Sequence, residues 1–441
     1  MRFWMNELPS ARSLASALLV SAITMTSISA QETPAPAEAP KAEAPKAEAP
    51  QVEAPKVEEA KADTPKVDVK PEQAKPAETK PADAKPADAK PADAKPADAK
   101  PADAKPADAK PADAKPADAK PADAPAVPKT VELVEHLDNP TGVAIHGGNG
   151  HVFIVSKQGV FRLVQGKPHK IFLEVEGFPT DVYGKGPKYD IGPLGVALLG
   201  TDKLIVADGS RPDGEELVRI YKIEDKTPGP PRKETDAEFT VGPIAPGDAS
   251  PKGEGNFYGV AVIGNSFYVT ANGNDAKGWV ARSVITDGKP GNLEPWLATK
   301  EAVNVDAPIA ATVTPDGKEL VISQGGEVNV AGDSLVTFYS PEDGKLLKNY
   351  KTGLHDITGL AYAPNGKLYA VDFAWPDPTQ GGLFELVIEG EEIKPKKVLS
   401  LDRPTALAFD KDGNAYVTVF GLGKETGDKP KGGLLKIPAG F

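Results

Sequence analysis

The chain has 441 residues, 45 prolines, no cysteine and a formal net charge of −12. The acidic balance argues against a nucleic-acid partner, because phosphate contacts need a surplus of Lys and Arg. The lack of cysteine excludes disulfides, thiol catalysis, cysteine-held zinc or iron–sulfur centres, and lipid attachment through an N-terminal cysteine.

Residues 1–30 read as an export leader. Arg2 and Arg12 give a basic start, 14–28 is apolar with interspersed Ser and Thr, and Ser29-Ala30 offers a small-residue cleavage point. The apolar run is short for a membrane-spanning helix. The expected address is extracytoplasmic: periplasmic, cell-envelope or secreted.

Residues 31–129 form a low-complexity tether of Ala, Pro, Lys, Glu and Asp. The pentapeptide Lys-Pro-Ala-Asp-Ala starts at Lys80 and recurs in nine copies. A proline every fifth residue removes helical hydrogen bonds, and almost nothing apolar is present to offset the entropy of ordering. A disordered, polyproline-II-biased spacer is expected. Its sharper reading is cell-envelope association through the tether.

Residues 130–441 hold almost all the Gly, Val, Ile, Leu and aromatic residues. A small-residue strand recurs with its small position at Gly142, Gly195, Gly259, Ala310, Gly359 and Ala406, spaced by 53, 64, 51, 49 and 47 residues. A tight turn and a second apolar strand follow each time. Third strands are predicted at 159–164, 217–223, 279–285, 334–339, 382–388 and 433–437. Weaker fourth strands are predicted at 170–175, 237–241, 293–299, 346–351 and 396–400. Short strands at such a period predict an all-β, six-bladed β-propeller of four-stranded antiparallel blades. The sixth blade has no fourth strand of its own. The strand pattern at 130–136 is expected to supply it and close the ring as a monomeric domain.

In such a blade the loops before the first strand and after the second share one face, the top, and most of the long loops fall there. Loops carry function more often than the scaffold does. Residues just before the inner strands should ring the channel mouth: Asn139, Asp190, Asn256, Asp306, Asp356 and Arg403. Carboxylates and amides so placed can hold a hard cation such as calcium; as turn formers they need no ligand at all. No other cofactor is indicated. Tyr183, Tyr189, Tyr258 and Trp375 fall in or beside top loops, where they can stack on a glycan or peptide. His355-Asp356 is the one histidine–acid pair on this face, and neighbours in a strand point to opposite sides. Neither a Gly-x-Ser-x-Gly elbow nor a His-Glu-x-x-His motif occurs, and no phosphate-binding loop.

The small-apolar-Ala strand leads into Gly-Lys-Leu-Tyr-Ala-Val-Asp at 366–372, and Lys-Leu-Ile-Val-Ala-Asp at 203–208 matches it. Through these motifs residues 130–441 resemble the NHL-repeat and gluconolactonase-like group of six-bladed propellers. For the lactonase branch the resemblance implies a divalent metal held by Glu, Asn and Asp immediately before the small residue. Those places here are Thr141, Leu194, Tyr258, Ile309, Thr358 and Thr405. None is a carboxylate or an amide, so that ligand set does not carry over. The expectation is an exported binding or scaffold propeller on a flexible stalk, taking a protein, peptide or glycan at its top face. The alternative is a metal-dependent, lactonase-like hydrolase or an oxidoreductase at the top of the axial channel.

Overall fold

The computed structural model describes residues 128–184, 187–273, 277–421 and 432–441. The leader at 1–30, the tether at 31–129 up to residue 127, and most of the top loop at 420–432 lie outside the described residues.

Six antiparallel blades account for the described chain. Blade 1 runs Gly142–Ile145, Val152–Ser156, Gly159–Val164 and Lys170–Glu176, and blade 2 runs Pro193–Leu199, Lys203–Asp208, Val218–Lys222 and Phe239–Val241. Blade 3 is Phe257–Ile263, Ser266–Ala271, Trp279–Thr286 and Glu294–Ala298; blade 4 is Pro308–Val313, Leu320–Gln324, Leu335–Tyr339 and Leu346–Lys351. Blade 5 is Ile357–Tyr362, Leu368–Asp372, Gly382–Glu389 and Glu392–Ser400. Blade 6 is Pro404–Phe409, Ala415–Val419 and Gly432–Ile437, and its fourth strand is Val131–Leu137 from the start of the domain. The pairing is antiparallel, with Val131 opposite Lys436 and Leu137 opposite Gly432. Each inner strand touches the inner strands of both neighbouring blades, the first touching the last.

Strand side chains alternate between faces, and both faces of a blade are covered by neighbours, so the second strands read as continuous apolar runs. Val152 and Ile154 pack toward blade 6, while Phe153 and Val155 pack toward blade 2. The same division repeats around the molecule, giving six separate hydrophobic cores, one at each blade junction.

A ring of hydroxyls reinforces five of these junctions. Thr141 Oγ1 donates to Pro193 O (3.1 Å), Thr270 to Ile309 O (2.6 Å), Ser323 to Ile357 O (2.8 Å), Thr358 to Pro404 O (2.9 Å) and Thr405 to Pro140 O (2.6 Å). Between blades 2 and 3 the corresponding places hold Leu194 and Ala207, which have no hydroxyl. The backbones there close up instead: a Cβ at Gly195 would lie 1.8 Å from Tyr258 O.

Some elements were not foreseen from the pattern, among them the following. A small hairpin, Asp181–Tyr183 with Tyr189–Ile191, projects from the top loop before blade 2. A helix at Thr299–Val303 follows blade 3. The Pro-rich loop of blade 2 returns Arg232–Lys233 as a parallel strand against the outer strand of blade 1. There, Arg162 Nη2 and Arg232 Nη2 both donate to the buried Glu174 Oε1 at 2.8 Å. Such contacts depend on chain segments far apart in sequence, which local periodicity does not encode.

Candidate functional site at the top of the channel

The turns that lead into the inner strands set the geometry of the top face. Asn139, Asn256 and Arg403 adopt left-handed φ of 45°, 49° and 49° three residues before the small residue of their blades, and Ala307 does so at 55°. Asn tolerates this conformation better than most residues. Asn139 Nδ2 donates to Asp190 O (2.8 Å), within the linkage between blades 1 and 2. Asp190 belongs to the small hairpin and forms an exposed ion pair with Lys157 (2.8 Å). Arg403 pairs with Asp402 (2.8 Å) and bonds Gly421 O (3.4 Å). Among the described residues, these three line neither of two adjoining cavities of the top face.

Asn256, Tyr258, Asp306 and Asp356 do come together. An apolar cavity of about 90 Å³ is lined by Tyr258 and Thr141 below and by aromatic rings at the side. A more polar cavity of about 190 Å³ adjoins it, lined by Asp306, Glu327 and a run of glycines. The two share Tyr183, Asn256, Asn272, Ile309, Val328 and Asp356. The top face therefore offers one cleft with an apolar end and a hydrogen-bonding end. Asp306 is committed to Lys300 (2.8 Å).

The aromatic wall is a single cluster. Tyr189 meets Trp375, Phe420 and Phe373 edge-on at centroid distances of 5.4, 5.2 and 6.1 Å, and Tyr183 meets Trp375 at 6.1 Å. Phe373 and Phe420 escaped the sequence reading. The available signal was an aromatic residue directly after the second strands of blades 5 and 6, where a solvated loop should be polar.

Asp356 occupies the boundary between the two ends of the cleft. It is buried, and its Oδ2 accepts the Trp375 amide at 2.6 Å. Burial pushes its carboxyl up to about 7, aided by the nearby Asp372 and Asp333 charges. Asp372, the terminal residue of the Leu-Tyr-Ala-Val-Asp motif, holds this loop in place. It accepts the amides of Asp356 (2.8 Å), His355 (3.0 Å) and Ala374 (3.1 Å). His355 faces away from the cleft acid and accepts the Gly332 amide at Nδ1 (2.9 Å). Asn272 Nδ2 donates to Tyr183 Oη at 3.2 Å, tying the hairpin to blade 3.

Tyr258 forms the floor. From blade 3 its hydroxyl donates to Thr405 O of blade 6 at 2.8 Å, and burial raises its pKa well above the usual phenol range. A wider cavity of about 360 Å³, lined by the inner strands, lies on the other side of the same ring.

No family model matches the sequence, and no curated protein matches it. Solved structures do. One described as an oxidoreductase (glucose dehydrogenase) from Thermus thermophilus is 18% identical with a TM-score of 0.50, covering 70% of this chain and 99% of that one. A gluconolactonase from Xanthomonas campestris is 14% identical with a TM-score of 0.47, covering 70% and 89%. The soluble aldose sugar dehydrogenase of Escherichia coli is 15% identical with a TM-score of 0.47, covering 70% and 99%. At these identities what is shared is the fold: the chain is a six-bladed β-propeller, the architecture it shares with the Thermus thermophilus structure.

Proposed function

We propose that the chain is an extracytoplasmic binding propeller whose top cleft takes a small, sugar-sized ligand, either free or as the end of a glycan. One observation carries this reading. An aromatic wall of Tyr183, Tyr189 and Trp375 stands directly beside Asn256, Asn272 and the buried Asp356. A sugar ring has the matching chemistry, with an apolar C–H face for an aromatic side chain and a hydroxyl edge for amide and carboxyl groups. The leader and tether would display this cleft away from the cytoplasmic membrane.

The test is titration of the full chain with a panel of monosaccharides, aldonolactones and short glycans, followed by tryptophan fluorescence and calorimetry. Saturable binding that is lost in Trp375→Ala and weakened in Asp356→Asn supports the reading. A panel without a ligand, or binding indifferent to both substitutions, overturns it. Cell fractionation checks the address.

Asp356 favours a second reading. A carboxyl near neutrality at a cleft boundary has the protonation behaviour of a general acid or base. Hydrolysis of a sugar lactone would then follow a pH profile centred near 7 that Asp356→Asn abolishes. Binding without turnover, in wild-type protein at every pH, rejects this reading and leaves the first intact.

A further inference from the structure

The wall shared by the two cavities of the top cleft is rich in acceptors. Its polar side chains are Asn256, Asn272 and Asp356, beside Tyr183. Both amide nitrogens are already engaged by protein oxygens. Asn256 Nδ2 donates to Asn272 O at a long 3.5 Å, and Asn272 Nδ2 donates to Tyr183 Oη at 3.2 Å. Asn272 Oδ1 is left without a donor. Asp356 gives only Oδ2 to the protein, to the Trp375 amide at 2.6 Å, and its Oδ1 accepts nothing.

Charge points the same way. Among the described residues, no Lys, Arg or His lines either cavity, whereas Asp306, Glu327 and Asp356 do. Asp306 has its cation in Lys300 at 2.8 Å. Asp356 has none: it is 6% exposed, and the charges acting on it are those of Asp372 and Asp333, both acids. A buried carboxyl at a cleft wall without a counter-ion favours a ligand that brings one. The apolar end suits the same ligand, because aromatic faces attract a cation and Tyr183, Tyr189 and Trp375 line the cavity that Asp356 bounds. Arg403 acts on Tyr189 but is paired with Asp402 and does not line the cavity.

We propose that the cleft selects a sugar carrying a primary ammonium group, an amino sugar with its amine unblocked; this rests on the sugar-binding reading and adds the charge of the ligand. A hydroxyl both gives and takes hydrogen bonds, whereas an ammonium has three donors and no acceptor. A wall that offers oxygens, with its amide nitrogens in use, matches the ammonium better than the hydroxyl. Asp356 is the specificity-determining residue, since a bond between ammonium and carboxylate is charge-assisted. A sugar acid would meet carboxylates and no cation among the described lining residues, and is rejected by like charge.

Full-length protein is titrated by calorimetry with glucosamine, glucose and gluconate at neutral pH and low salt. Glucosamine should bind at least about tenfold tighter than glucose, the scale of one charge-assisted hydrogen bond, and gluconate weakest. Asp356→Asn, which keeps an acceptor for the Trp375 amide, should close the gap between glucosamine and glucose. Equal affinity of the wild type for glucose and glucosamine, with both lost in Trp375→Ala, overturns the ammonium assignment and leaves the sugar-binding reading standing. A gap that persists in folded Asp356→Asn overturns it too, by moving recognition away from that carboxyl. Binding of none of the three overturns it, and the wider ligand panel then decides the reading beneath it. A Lys-Pro-Ala-Asp-Ala peptide carries the same ammonium without a sugar ring and should bind more weakly than glucosamine. Tighter binding of the peptide overturns the assignment to a sugar and points to the chain's own repeats. Circular dichroism checks the fold of the variant; the comparison of sugars in the wild type decides without it.

Discussion

Tyr258 and Thr405 belong to opposite blades of the ring, and the Tyr258 hydroxyl bonds the Thr405 carbonyl at 2.8 Å across the axis. The phenol ring therefore separates the upper cavity from the wider space between the inner strands below it. It occupies the place immediately before Gly259, where the lactonase resemblance leads one to look for a metal ligand. Here that place holds a plug.

Tyr258→Phe keeps the plug and removes the bond. A stability loss of about 0.5–1.5 kcal/mol is expected, the net worth of a hydrogen bond in folding. Urea denaturation measures it. An unchanged midpoint would mean that the Thr405 carbonyl finds another donor at no cost.

Gly195→Ala tests the close approach of blades 2 and 3, since the added Cβ would meet Tyr258 O at 1.8 Å. Overpacking of this kind costs typically ~1–3 kcal/mol, and the backbones must also separate. Gly264→Ala, in a turn with open space around it but a left-handed φ of 58°, should lose less. Thermal melts of the two variants side by side give the comparison.

Leu137→Ala tests ring closure. Leu137 is buried in the core shared by blades 6 and 1 and belongs to the strand that completes blade 6. Truncation of a buried Leu costs about 2–5 kcal/mol. Because the strand joins the start of the domain to its end, hydrogen exchange should accelerate in both Val152–Ser156 and Ala415–Val419. Acceleration confined to the N-terminal strand would show that the ring holds without it.

The pH dependence follows from two acids with raised pKa values. Asp356 is held at about 7 against an ordinary 3.8, and Glu216 at about 9 against 4.5, both mainly through burial. The folded state keeps these protons longer than the unfolded state does. Their stabilising contribution is therefore full below the ordinary carboxylate values and is lost as pH rises through about 7 and then about 9. Melting temperature should decline from the ordinary carboxylate values up to about 9. Asp356→Asn should remove the part ending near 7, and Glu216→Gln the part extending toward 9. A flat profile in the wild type would refute the burial argument for both groups.

The repeat at 142, 195, 259, 310, 359 and 406 determined the blades by itself. Alternating side chains buried on both faces leave a continuous apolar signature, tight turns punctuate it, and only small residues fit the crowded inner strands. The missing fourth strand of blade 6 and the apolar pattern before blade 1 pointed to each other in the same local way. The site was legible in part. Asn256, Tyr258, Asp306 and Asp356 could be placed at the channel mouth because their distance from the inner strand fixes their height. Their sequence position did not say which would face the cleft, since Asn139 and Arg403 stand at the same offset as Asn256 and Asp356 and bond to neighbouring loops. The aromatic cluster and the Tyr258–Thr405 bond were decided by tertiary structure alone. Each joins groups from different loops or blades, and only the closure of the ring brings such groups within bonding distance.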